Sequence, residues 1–141
     1  MLKLKISLSI FFLIICNLGH CEWVKFATDD IKNEYFYESS KIDIKTYPKS
    51  KVIFGWIMMN YGKPFVMKDK NIINSQKDNF QITCKFEDSI ESYKVTYSAY
   101  FRQLNGKGGM IFQNDYGIDA LNQKIVPDSI FEFFVGYFCK M

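Results

Sequence analysis

Phe80-Gln81-Ile82-Thr83-Cys84-Lys85-Phe86, then Glu87-Asp88-Ser89, then Lys94-Val95-Thr96-Tyr97-Ser98-Ala99-Tyr100-Phe101: this run decides the fold class. Phe80, Ile82, Cys84 and Phe86 alternate with polar residues, as do Val95, Tyr97, Ala99 and Phe101. Successive side chains of a strand point to opposite faces, so period two marks two half-buried strands. The polar tip between them predicts a long antiparallel hairpin. It also places Cys84 on the core face with Phe80, Ile82 and Phe86.

Upstream, residues 52–59 (VIFGWIMM) are apolar on both parities. They predict a central strand, buried on both faces or buried on one with an interface on the other. Ile42 and Ile44 alternate with Lys41, Asp43 and Lys45 until Tyr47-Pro48 ends the strand. Residues 34–39 (EYFYES) and 23–28 add two further β-favouring runs. Residues 60–75 (NYGKPFVMKDKNIINS) lack periodicity and predict a loop. Downstream, residues 103–109 predict a turn and 110–113 a last strand.

The C-terminus changes period. Ser129 with Glu132 three residues later has the form of a capping box. Beyond it Glu132, Gly136 and Lys140 form a narrow stripe, while Phe131, Val135, Phe138 and Cys139 share another face beside Ile130, Phe134 and Tyr137. That spacing predicts a helix. The fold class is therefore α+β, an antiparallel sheet with a C-terminal helix whose apolar face carries Cys139 toward Cys84.

The N-terminus reads as a targeting segment. Lys3 and Lys5 precede an apolar run at 6–15, followed by Cys16, Asn17 and Gly19. The run is half the ~20 residues a membrane span needs, which favours a signal peptide over an anchor. Cleavage is expected after Gly19 or Cys21, giving a signal peptide of 1–21 and one domain of 22–141. Lipidation of Cys16 or Cys21 would want a small residue before the cysteine, where Ile15 and His20 stand.

The whole chain has 141 residues and a formal charge of +3. Without residues 1–21 it keeps sixteen basic and fifteen acidic residues, a net charge of +1. Gross charge then offers no argument for nucleic acid. Apolar residues at 48% and charged residues at 23% exclude global disorder. Cys84 and Cys139 remain as an even pair in an exported chain, which suggests a disulfide; the alternative is two buried free thiols. The one histidine, His20, falls in the signal segment. That removes Ser-His and Cys-His nucleophiles and His-ligated metal from the mature chain. Gly106, Lys107, Gly108 and Gly109 are followed by Met110, not by the Lys-Ser/Thr of a phosphate loop. The carboxylate pairs Asp29–Asp30 and Glu87–Asp88 lie in turn-like segments. No enzyme chemistry, cofactor or metal is expected. Residues 41–70 hold seven lysines against Asp43 and Asp69. They could meet an acidic partner or simply guard a sheet edge.

The order of features also carries a resemblance. Glu22-Trp23 follows the export signal; then come Tyr35-Phe36-Tyr37, Ile42, Val52-Ile53-Phe54-Gly55-Trp56 and Tyr61. Ser75, Lys77, Cys84 and Arg102 follow, and Pro127-Asp128-Ser129, an apolar run and Cys139 close the chain. This set resembles the surface-adhesin protein E family of Gram-negative bacteria, across essentially the whole mature chain. The resemblance implies about six antiparallel strands with a C-terminal helix packed on one face. It also implies a disulfide tying helix to sheet. Members include outer-surface adhesins that bind host extracellular-matrix proteins, and dimers occur. The family often has glycine where Asp128 stands.

The expectation is thus an exported, non-catalytic protein at the cell surface, the outer membrane or the periplasm. Its partner would be a host extracellular-matrix or other protein, with a homodimer allowed, no nucleic acid and no membrane span in the mature chain. The alternative is a soluble periplasmic inhibitor or accessory protein, as against lysozyme. Lys63, Lys68 and Lys70 are the candidate ligand contacts. An open sheet edge and an aromatic patch with Tyr35 and Tyr37 are the other candidate surfaces.

Overall fold

The computed structural model describes residues 23–85 and 89–141. The expected signal segment with Cys16, His20 and Cys21, and the expected hairpin residues Phe86, Glu87 and Asp88, lie outside the described residues. Seven strands form one antiparallel sheet: β1 (Trp23–Thr28), β2 (Glu34–Glu38), β3 (Asp43–Tyr47), β4 (Ser50–Val66), β5 (Ile72–Lys85), β6 (Ile90–Gln103) and β7 (Lys107–Asp115). The order is β1-β2-β4-β5-β6-β7, and β3 also pairs with β4. Strand β4 is long enough to hold two partners on one edge. Its start pairs β3, from Tyr47 opposite Ser50 to Asp43 opposite Phe54; its middle pairs β2, from Tyr37 opposite Ile57 to Glu34 opposite Asn60.

Helix α1 (Ile130–Lys140) lies across one face of the sheet. Ser129 Oγ accepts the Glu132 N–H at 3.1 Å, and Glu132 Oε2 accepts the Asp128 N–H at 2.7 Å. The cap is reciprocal, though its second bond reaches one residue further back than in the usual box. The helix buries Phe134, Val135, Phe138 and Cys139. Phe134, more than Phe131, is the central knob. Its ring stacks on Phe26 at 4.6 Å and meets Phe80 and Phe138 edge-on at 5.3 and 4.8 Å. Ile53, Ile57, Phe80, Ile82 and Cys84 form the sheet side of this core. Cys84 and Cys139 are joined by a disulfide, Cα to Cα 5.6 Å.

Three expectations change in the structure. Residues 60–75 are not a loop: β4 continues to Val66 and β5 starts at Ile72, so the turn is short. Periodicity failed there because the ladder is irregular between Asn60 and Phe65 and little of the segment is buried. The second change lies in β6. A bulge leaves Thr96 unpaired, since Phe80 faces Val95 and Asn79 faces Tyr97. One extra residue reverses the parity of everything beyond it. Tyr97, Ala99 and Phe101 therefore leave the helix face, while Ser98 and Tyr100 join it opposite Asp78 and Gln76. Thr96 Oγ1 bonds the Asn79 side-chain oxygen at 2.7 Å, and the Tyr116 N–H donates to the Thr96 carbonyl at 2.9 Å, so the bulge is satisfied.

Third, Tyr35 and Tyr37 form no exposed patch. Both turn toward the helix: Tyr35 meets Phe131 at 6.1 Å and Tyr37 meets Phe138 at 5.4 Å, each edge-on. On the opposite face, Trp56 meets Tyr97 edge-on at 5.8 Å. The Lys77 ammonium lies 5.1 Å from the Trp23 ring and 5.5 Å from Phe101. The alkyl stem of a lysine can cover apolar surface while its charge meets ring faces, which is how this face remains partly buried without a second layer.

Candidate functional site

The seven lysines of residues 41–70 split into two groups. Lys41, Lys45, Lys49 and Lys51 lie at the start of β4 and around β3; Lys63, Lys68 and Lys70 lie at its far end. At ~3.3 Å per residue, Lys51 and Lys63 are roughly 40 Å apart. A single basic patch is therefore excluded. The first group is also occupied locally: Lys41 pairs with Glu38 at 2.8 Å, and Lys45 sits 5.1 Å from the Phe54 ring.

The second group sits on the tip of the β4–β5 hairpin, and the structure brings its three lysines into one exposed element. Among the described residues, no strand other than β5 pairs with β4 beyond Asn60, and on the tip side of Ser75 β6 has ended its pairing with β5. The tip pairs only with itself, Phe65 opposite Ile73 and Val66 opposite Ile72. Lys63, Lys68 and Lys70 are exposed, and none enters an ion pair among the described residues. Beside them Phe65, Val66 and Ile72 are 57%, 61% and 49% exposed. Sequence reading missed these apolar neighbours, because a presumed loop offers no strand face on which to place them.

The base of this finger is clamped from both sides. On one side the Gly62 N–H donates to Asn33 Oδ1 at 2.9 Å. Asn33 is in turn fixed by Asp29, whose Oδ1 accepts the Asn33 N–H at 2.8 Å and whose Oδ2 accepts the Asn33 amide at 2.9 Å. On the other side Asn60 and Asn105 exchange two bonds of 2.9 and 2.8 Å. Ser75 Oγ donates to the Gln103 carbonyl at 2.5 Å and accepts the Gly106 N–H at 3.0 Å.

The turn itself is ordered by its polar residues. The Met67 N–H donates to the Asn71 carbonyl at 2.9 Å, and Lys70 takes a positive φ of 66°. Asp69 accepts the Asn71 N–H at 3.1 Å and the Asn71 amide at 2.8 Å. The backbone bond from Asn71, then its side-chain bond, hold the Asp69 carboxyl below its usual range. The tip thus presents three ammonium groups without an ion pair among the described residues, with Val66 and Ile72 exposed on one face of the hairpin and Phe65 on the other, on a firm stalk. Such a surface suits a protein face with carboxylates at its rim and apolar groups at its centre.

A family model described as surface-adhesin protein E matches residues 23–140. No curated protein and no solved structure matches the chain.

Proposed function

Because the chain belongs to the surface-adhesin protein E family, we propose that it is exported through residues 1–21 and binds a host extracellular-matrix protein at the cell surface without catalysis. The observation that carries the reading is the hairpin tip, where Lys63, Lys68 and Lys70 share one short exposed element with Phe65, Val66 and Ile72. In this reading the lysines steer an acidic partner and the exposed Val66 and Ile72, side by side on one face, supply contact area. Charges exposed on a finger are screened over ~8–10 Å near physiological ionic strength. Binding of the mature chain to immobilised matrix proteins should therefore weaken as salt rises.

Replacing Lys63, Lys68 and Lys70 together with glutamine should weaken that binding and flatten its salt dependence. The melting temperature should stay nearly constant, because exposed charges contribute little to stability. Salt-independent binding that survives the triple change rejects the tip as the contact. Failure to bind any matrix component, together with inhibition of a lytic enzyme and resistance to protease shaving on intact cells, would instead support a periplasmic inhibitor.

A further inference from the structure

The sheet face that carries α1 extends beyond the helix, and a cleft opens there between β5, β6 and the segment after β7. Its cavity is about 360 Å³, lined among others by Gln76, Asp78, Ser98, Tyr100, Tyr116 and Asp119. A neighbouring cavity of about 250 Å³ shares Asp78, Val95 and Gln123 and reaches Tyr93 and Lys124. Asp78 stands at the junction of the two. The Thr96 bulge builds this cleft, since it turns Ser98 and Tyr100 onto the same face as Asp78.

The hydrogen-bond partners of the Asp78 carboxylate are neutral among the described residues, although Lys124 lines the second cavity with it. Gln76 Nε2 donates to its two oxygens at 2.8 and 2.9 Å, and Gln76 Oε1 accepts the Tyr61 hydroxyl at 2.6 Å. Ser98 stands directly opposite Asp78 on β6. No ion pair among the described residues includes Asp78. Close by, the Tyr93 hydroxyl is buried without a hydrogen-bond partner among the described residues, on a residue only 4% exposed that lines the second cavity. A half-buried carboxylate without a cation and a buried hydroxyl without a partner are both unfavourable unless something completes them. The larger cavity holds two carboxylates, Asp78 and Asp119, and no lysine or arginine among its described lining. Tyr100 and Tyr116 add ring faces, which attract cations.

We propose that this cleft binds a primary ammonium or guanidinium group, with Asp78 as its counter-ion and Tyr100 and Tyr116 beside it. The larger cavity falls in the range of small-molecule sites and admits an alkylamine or the end of a lysine or arginine side chain. The inference is independent of the hairpin tip and goes beyond the binding proposed there.

The test is an amide NMR titration of the mature chain, oxidised at Cys84 and Cys139, with two probes. One is butylguanidinium, a free alkylguanidinium with a single charge; the other is an acetylated, amidated Gly-Lys-Gly peptide. Saturable shifts at Asp78, Ser98, Tyr100 and Tyr116 are expected, with no response to the same peptide acetylated on its lysine. Tighter binding of the peptide would assign the site to a protein side chain, and tighter binding of butylguanidinium to a free small cation. Asp78→Asn should weaken binding about tenfold or more, the scale of a hydrogen bond to a charged group. Asp119→Asn, at an exposed position, should weaken it less and guards against a folding defect at Asp78. The triple lysine variant should bind both probes normally. Absence of shifts with both cations, or undiminished binding by Asp78→Asn, overturns the proposal.

Discussion

An aspartate inside a sheet face is a destabilising choice, and Asp78 is one. Burial pushes its carboxyl pKa up, more than hydrogen bonds from Ser98 and Gln76 pull it down. The folded chain then holds this proton more tightly than the unfolded chain, whose carboxyl titrates near 3.8. The favourable contribution is complete below that pH and is lost as pH rises through the raised folded value. Other carboxylates act oppositely. Glu34, hydrogen-bonded by Lys25, and Asp69, hydrogen-bonded by Asn71, are shifted down, as is Asp29, where bonds from Asn33, Tyr35 and Ile31 outweigh desolvation. The difference between variant and wild type isolates Asp78. Thermal melts across pH 4–8 should show Asp78→Asn more stable than wild type at pH 7 and the gap closing toward pH 4. A gap independent of pH would mean that Asp78 titrates as an exposed carboxyl does. A residue that lowers stability at neutral pH while lining a cavity is what a binding role would leave behind.

At the scale of elements, the β4–β5 finger depends on what meets its base. A Cβ added at Gly62 would lie 2.4 Å from the Ile31 carbonyl oxygen and 2.5 and 2.6 Å from the Lys32 carbonyl carbon and oxygen. These are backbone atoms and cannot rotate away. Gly62→Ala must therefore separate β4 from the β1–β2 turn and lengthen the bond from Gly62 to Asn33. Overpacking of this kind costs about 1–3 kcal/mol. Urea denaturation should show a lower midpoint with little change in slope, and amide exchange should quicken at Asn33 and Gly62. Wild-type stability in this variant would show that the turn simply moves aside. The start of α1 has a comparable constraint. Asp128 takes a φ of 59°, in the left-handed region. Glycine would meet this conformation without strain, and aspartate is among the side chains that tolerate it best.

For the molecule as a whole, α1 is held by one buried face and one covalent link. The linked cysteines are 55 positions apart, and the chain-entropy account gives ~4 kcal/mol for closing such a loop. That is an upper figure, because residual structure in the reduced chain lowers it. Reduction should lower the melting temperature by roughly 10 °C, given the few degrees per kcal/mol expected for a domain this size. Non-reducing peptide mapping should recover one cross-linked peptide pair. Two alkylatable thiols in the exported protein, or a melt indifferent to reductant, would refute this account. Phe134 and Phe138 still pack against Phe26, Tyr37 and Phe80 without the link. The reduced chain should therefore keep its sheet and lose the helix first.

The sequence by itself determined the antiparallel strands, the C-terminal helix and the core faces of Cys84 and Cys139. Each rests on a local repeat, period two or near four, or on a cap whose residues are contiguous. Export and the lack of histidine after residue 21 were likewise legible as expectations, since they depend on the local order of the first residues and on composition. Tertiary structure decided the rest. The Thr96 bulge has no signature in its residues, yet it exchanged the faces of Tyr97 and Ser98 and so created the cleft at Asp78. The division of seven lysines into two distant groups depended on how far β4 runs, which a ladder with a bulge and little burial concealed. Tyr35 and Tyr37 were legible as strand residues, but their face was set by where α1 came to lie. A strand's own residues specify that it alternates; which side is inside depends on the partner laid across it.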